Sequence, residues 1–351
     1  MRSFPPIPEW VALEHQVAQV LTKQELHGWY FDSEAAWKLA SSLRTELEET
    51  YQILRDRHPY VFGSEFTPKR NNKTSGYVEG CPFTKLKELN PTSRDHISWI
   101  LQTFHGWKPK EMTPTGKPII DEVILKEIGT PIAMSFLKCL DITKKLGMIS
   151  EGTNAWLKLC TSANRIHHHC SVATNTHRCA HRKPNLAQCP SDYEFRQLFT
   201  ASPGQVMVGA DLSGIELRML AHYLAKHDEG RYADILLNGD IHQVNADKIG
   251  SIDQRKIAVD SPHKALNYLL QSGAGVIAKR WLLINHENTK ELCCSQLAFI
   301  HDELQFECDP MAADAVSASL VQSAKAAGEH YLLRLPISAE AKRGRNWSEV
   351  H

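Results

Sequence analysis

The sequence has no imbalance of charge. Its 351 residues carry 40 Lys and Arg against 40 Asp and Glu, so net charge points to no polyanionic partner. Neither the N-terminal MRSFPPIPEW nor any later window is a long apolar run, so no leader or membrane span is expected. There is no internal repeat and no low-complexity tract. The nine cysteines are odd in number and irregular in spacing, which excludes a disulfide framework and reads as reduced thiols in a cytosol-like compartment. One further absence is local. From Gly152 to Ser191 there is no Asp or Glu, while Lys158, Arg165, Arg178, Arg182 and Lys183 stand there with five histidines. A locally basic surface in a neutral chain suits a protein that holds nucleic acid on one face. The length allows two domains.

Two segments concentrate the acidic chemistry. In Val206–Tyr223, VMVGADLSGIELRMLAHY, the alternation of Val206, Val208 and Ala210 with Met207 and Gly209 predicts a strand. Asp211 falls at its end. Ser213 and Glu216, three apart, fit a capping box at a helix start. Asp302 lies 91 residues after Asp211, within Ala298–Cys308, AFIHDELQFEC. Apolar residues on both sides of His301-Asp302-Glu303 predict a β-hairpin with an acidic tip. Carboxylates on neighbouring strand ends can hold a pair of divalent ions, which activate a hydroxyl and stabilise a departing pyrophosphate. The plainer alternative is a capped surface helix and an acidic turn.

DLSGIELR followed by HDE resembles the two acidic palm motifs of family A DNA polymerases, the DNA polymerase I family, and most closely those of short-tailed phages. The resemblance implies template-directed transfer of a deoxynucleotide to a primer 3′-hydroxyl. It makes Asp211 and Asp302 the catalytic metal ligands, with the Leu212 backbone carbonyl completing one coordination shell. The implied cofactor is a pair of Mg2+ ions, with Mn2+ as a substitute. Glu216 is expected at the sugar edge of the nucleotide, His301 at the primer terminus, and Glu303 as a supporting carboxylate. Arg165-Ile166-His167 resembles the family's RIH strand, Thr176-His177-Arg178 its TGR, and Pro184-Asn185-Leu186-Ala187-Gln188 its PNLAQ, groups that hold the primer–template duplex. Arg178 would meet phosphate, and Arg165 is expected among the DNA-binding residues. The amides of Asn185 and Gln188 suit the nearly sequence-blind minor groove. His177 departs from the family's usual Gly, which would keep the backbone further from DNA. In Ser261–Trp281, Asn267 and Gln271 are four apart and share a helix face. By resemblance they reach the minor groove at the primer end; seen alone they are equally two solvated amides. Asp260 stands where the family usually has Arg. Gly344-Arg345-Asn346-Trp347 to His351 resembles the closing GPNW…H.

The implied fold is α+β: a helical thumb over 1–150, then a palm with an antiparallel sheet backed by helices. The palm is expected over 151–238 and 258–351, with a remnant of the fingers over 239–257. Apolar stripes predict two long helices between Trp10 and Asp56, broken at Gly28-Trp29-Tyr30-Phe31-Asp32. His58–Gly80 reads as a polar, basic loop. In some phage relatives a larger insertion at this place binds a host thioredoxin as processivity factor; the segment here is short, and that partner is not carried over. Ser93 is an expected N-cap. Between Gln243 and Ile257 the chain departs from the family, whose relatives have a far longer helical subdomain carrying a nucleotide-gripping RxxxKxxxYG pattern. That pattern is absent here; Asp253-Gln254 would be its first trace, with the join near Arg255. The fingers thus read as largely deleted, and nothing matches a 3′–5′ exonuclease domain. Expected partners are primer–template DNA, deoxynucleoside triphosphates and a separate chain supplying fingers. The alternative function is a non-catalytic DNA-binding remnant or one piece of a split polymerase. The expected location is the cytoplasm, that of the host if phage-encoded. Cys170, His177, Cys179, His181 and Cys189 offer a rival zinc site, but their C-x6-H-x-C-x-H-x7-C spacing lacks a CxxC knuckle. His167-His168-His169 continues a strand and is not read as a ligand set.

Overall fold

The computed structural model describes residues 7–226 and 265–351. Labelled in chain order, the helices are α1 (Glu9–His27), α2 (Ser33–Arg57), α3 (Arg94–His105), α4 (Glu122–Ile128), α5 (Pro131–Leu146), α6 (Trp156–Leu159), α7 (Tyr193–Arg196), α8 (Ile215–Leu224), α9 (Ala265–Thr289), α10 (Ala313–His330) and α11 (Trp347–Val350). The strands are β1 (Trp29–Phe31), β2 (Tyr60–Phe66), β3 (Phe83–Glu88), β4 (Arg165–Ile166), β5 (His169–Ser171), β6 (Ala180–Arg182), β7 (Phe199–Thr200), β8 (Val206–Leu212), β9 (Cys294–Ile300), β10 (Glu303–Cys308) and β11 (Ala339–Gly344). The chain forms two compact units, Met1–Ala35 with Trp156–His351, and Ala36–Ala155.

The first unit is built on a four-stranded sheet of order β11-β8-β10-β9, antiparallel throughout. On β10, Leu304, Phe306 and Cys308 point into the apolar core, so Glu303, Gln305 and Glu307 share the opposite face, where they too are buried. Helix α10 packs on β8 and β11, and α9 packs on α10 and α8. Trp281 of α9 is fully buried and donates its Nε1–H to the Leu320 carbonyl at 2.8 Å, fixing the two helices together. α1 joins this unit because Leu13, Val17, Val20 and Leu21 bury against α9 and β9. Each such side chain contributes about 1.5–3 kcal/mol relative to exposure. The boundary therefore differs from the expected helical unit over 1–150: apolar periodicity shows that α1 buries one face, not against what.

GWYFD is a strand rather than a bare turn. Gly28 takes φ 71°, and β1 then pairs with β4 and β7 as the middle of a three-stranded sheet. Its Trp29 and Phe31 are fully buried among Trp156, Phe199 and Trp347.

The second unit is mostly helical. Ser93, Asp121 and Thr130 cap α3, α4 and α5 by accepting from the backbone N–H three residues on. The expected His58–Gly80 loop is replaced by a β2–β3 hairpin, Tyr60 pairing with Glu88 and Phe66 with Phe83. Tyr77 and Phe83 stack edge to face with Phe66, and these aromatic contacts hold the strands on either side of the polar TPKRNNKTSG connection. Among the described residues no helix is long and apolar enough to cross a membrane.

Candidate active site: an acidic strand end

The register of β8 and β10 sets Asp211 opposite Glu303, and the Leu212 N–H donates to the Asp302 carbonyl at 3.0 Å. Two segments distant in sequence are thereby stitched at one sheet end. The β9–β10 turn is His301-Asp302, with His301 in the left-handed region at φ 58°, uncommon for a residue with a Cβ. Asp211 reaches solvent, yet partial loss of water, then the Asp302 and Glu303 charges, push its carboxyl up to about 6. Burial is also the first cause that raises Asp302; Arg178 and His301 pull the other way. Among the described residues neither carboxylate is ion-paired. Glu303 is buried and held: Trp347 Nε1 donates to its Oε1 at 2.6 Å, Gln305 donates to the same oxygen, and His351 Nδ1 lies 3.1 Å from Oε2. Clustered carboxylates raised in pKa and in no ion pair among the described residues form the kind of oxygen donor set that hard divalent ions neutralise.

The other expected site residues separate into two groups. Arg178 pairs with Glu216, and Asn185 and Gln188 stand exposed at the ends of the short 3₁₀ turn Leu186–Gln188. Asn267 is exposed on α9, with Gln271 half-buried one turn on. Arg165 is different. Its guanidinium donates to the Gly28 carbonyl at 2.9 Å and to Ser202 Oγ at 2.6 Å, and lies 3.2 Å from Glu307. These bonds give Arg165 a place in the framework. The capping box at Ser213 is also replaced. Gly214 at φ 56° is the N-cap, no side chain caps the helix, and Glu216 turns to Arg178 instead. His177 adopts φ 57°, the conformation Gly takes readily. There Gly275 of α9 comes so close that a Cβ on it would sit 2.9 Å from the His177 carbonyl oxygen. Asp253, Gln254, Arg255, Asp260 and the expected fingers remnant lie outside the described residues.

With this geometry in place, comparison with known proteins is direct. The model of DNA polymerase family A matches residues 81–264 and 252–349. The chain belongs to DNA polymerase family A. It is 29% identical over 500 residues to the DNA-directed DNA polymerase of Enterobacteria phage T3, covering 98% of this chain and 70% of that one. The corresponding enzyme of Escherichia phage T7 is 28% identical over the same span and shares. Among solved structures, the POL domain of Pol1 from M. smegmatis, in complex with DNA primer-template and dNTP, superposes with a TM-score of 0.71 at 17% identity. It covers 96% of this chain and 70% of that chain, and shows that the fold is shared. The activity class is template-directed DNA synthesis, and family A polymerases generally use divalent metal ions. The alignment to the T3 enzyme is longer than this chain, so at least 149 of its positions face gaps here. The two matched pieces of the family model meet within 252–264.

Seen as a family A palm, the acidic end contains residues that the motif reading passed over. A cleft of about 190 Å³ is lined by Asp211, Asp302 and Glu303 together with Cys189, Arg196, Trp347 and His351. Arg196 lies over the Trp347 ring, its guanidinium carbon 4.8 Å from the centroid, and brings a cation to the acidic cleft. Trp347 was legible as a motif residue, but its bond to Glu303 joins segments 44 residues apart and needed the fold. No local signal marks Arg196.

Proposed function

We propose that this polymerase binds primer–template DNA and a deoxynucleoside triphosphate, with two divalent ions, Mg2+ in the cell and Mn2+ as a substitute, held by Asp211, Asp302 and the Leu212 carbonyl. The observation that carries this reading is the pairing of β8 with the β9–β10 turn, which brings two unpaired carboxylates of raised pKa to one strand end. Bound there, the ions supply Lewis-acid activation of the primer 3′-hydroxyl and charge neutralisation at the pyrophosphate. The chain's own residues do the rest. Glu303, fixed by Trp347, Gln305 and His351, holds the strand end rigid. His301, on its constrained turn, positions the primer terminus. Glu216 meets the sugar edge of the nucleotide once its pairing with Arg178 opens, and Arg178 is then available to phosphate. Asn185, Gln188, Asn267 and Gln271 contact the minor groove.

The triphosphate clamp expected on the fingers has no counterpart in the sequence, and positioning is most of phosphoryl-transfer catalysis. Extension by this chain alone is therefore expected to be slow, and a separate chain supplying fingers is expected to raise it. The alignment gap favours one second reading, a DNA-binding remnant or one piece of a split polymerase. Primer extension with Mg2+ distinguishes the two. Slow extension abolished in Asp302→Asn supports the enzyme; primer–template binding with no extension above that variant supports the remnant.

A further inference from the structure

Behind the acidic cleft, β5 and β6 pair antiparallel with Cys170 opposite His181. Side chains directly opposite each other on paired strands share a face. Cys170 and His181 therefore lie on one side, His168 stands just before β5, and Cys179, just before β6, is buried in the same core as Cys170. The pattern is His-x-Cys…Cys-x-His, with α1 packed on β5. Donor atoms of His168, Cys170 and His181 all lie within 4.8 Å of one another. Cys170 Sγ is 3.2 Å from His181 Nδ1, and Gln24 Nε2 of α1 lies 3.1 Å from His168 Nε2 and 3.6 Å from Cys170 Sγ.

We propose that this face is a structural zinc site, with His168, Cys170 and His181 as ligands and Cys179 as the fourth. As a purely packed core the cluster is poorly satisfied. His168 Nδ1 is buried with no partner among the described residues, and a buried polar atom left unpaired is costly; His181 would coordinate through Nδ1, the nitrogen beside Cys170 Sγ. Burial, then neighbouring imidazoles, hold His168 near 3 and His181 near 4, so both rings are neutral at neutral pH, the form that binds metal. Burial also pushes the Cys170 thiol up, and Cys179 to about 11, so a thiolate forms there only beside a cation; metal binding releases those protons to solvent. Imidazole with thiolate suits Zn2+ and not Mg2+, which separates this site from the carboxylate donors Asp211 and Asp302. Tetrahedral Zn2+ with bonds of about 2.0–2.3 Å sets its donors roughly 3.3–3.8 Å apart. The Cys170–His181 pair is already near that spacing, the third donor needs to close by about 1 Å, and Cys179, which stands outside that group of three, has further to move. Two ligands, Cys170 and His181, are cross-strand partners, and that pairing replaces the CxxC knuckle that sequence spacing looks for.

The site abuts the catalytic turn. The His181 ring meets His301 edge to face at 6.3 Å, and His301 Nδ1 is likewise buried without a partner among the described residues. Zinc would fix β5, β6 and the wall on which His301 rests, and so act on the primer end through positioning.

The test is metal content of the full chain after stripping with chelator and reloading with Zn2+, and absorption after loading with Co2+. The expected result is one zinc per chain and a thiolate-to-cobalt charge-transfer band, both retained in Asp211→Asn/Asp302→Asn and lost in Cys170→Ser/Cys179→Ser. If the latter variant does not fold, the wild-type cobalt spectrum decides alone. Zinc bound without a thiolate band is an adventitious ion only and overturns the proposal. So does zinc that leaves with the aspartate variant, or no zinc at all.

Discussion

Strand β10 has two acidic ends on one buried face, and they are managed in opposite ways. At the Glu307 end, His27 Nε2 donates at 2.6 Å, Ser202 donates through both N–H and Oγ–H at 2.8 and 2.7 Å, and Arg165 lies 3.2 Å away. Burial pushes Glu307 up, but these donors outweigh it and hold the carboxyl at about 2. At the other end Asp211 and Asp302 have no paired cation among the described residues, and both are raised. A satisfied charge is framework. A cluster of carboxylates pressed together with no direct ion pair is a site that a ligand can complete.

The comparison can be broken in four ways. The largest effect belongs to catalysis. Asp302→Asn should cut metal-dependent primer extension by at least about a hundredfold, whereas Glu307→Gln should leave the rate nearly unchanged wherever it is folded. Comparable losses from both would erase the distinction.

Stability should respond with opposite signs. Glu307→Gln removes a carboxylate held about two to three pH units below its usual range, a loss of roughly 3 kcal/mol in thermal unfolding at neutral pH. Asp211→Asn removes a charge whose folded pKa is raised, so it should stabilise slightly, by under about 1 kcal/mol after solvent screening.

The pH dependence carries the same signs. Stability from Glu307 is full above its unfolded value near 4.5 and is lost as pH falls towards about 2. The penalty from ionised Asp211 is present above about 6 and is relieved as pH falls through it towards 3.8. Divalent-metal affinity should therefore weaken by about tenfold per pH unit below about 6, measured by Mn2+ titration.

The smallest effect lies on the DNA face. Arg178→Ala should weaken primer–template binding by about three- to tenfold and lower the salt slope by about 1, while Arg165→Ala should act mainly on stability through Glu307. Titrations of labelled primer–template at two ionic strengths separate these outcomes.

Much of this was legible in the chain. The strand before Asp211 and the hairpin around Asp302 announce themselves by apolar residues of period two, and the α+β class follows from those strands among long helical stripes. Ser93 reads as a cap because the signal is local. The misses share a physical cause: the deciding partner is distant in sequence. α1 shows an apolar stripe but not that α9 and β9 cover it. The RIH motif does not show that Arg165 bonds to Glu307, 142 residues on. Ser213-x-x-Glu216 fits a capping box until Arg178 claims the glutamate. The β2–β3 hairpin is hidden because its strands are separated by a polar connection, and their pairing rests on cross-strand aromatics.

The central claim is that Asp211 and Asp302 form one divalent-metal site on the DNA-bound palm. The most direct measurement is Mn2+ binding to the chain with primer–template present, well above and well below pH ~6, in the wild type, Asp211→Asn, Asp302→Asn and Glu307→Gln. The account predicts binding that each aspartate variant weakens by at least about tenfold, that falls at the lower pH, and that Glu307→Gln leaves intact. Binding that survives both aspartate variants, or that is lost equally with Glu307→Gln in a folded protein, would contradict it.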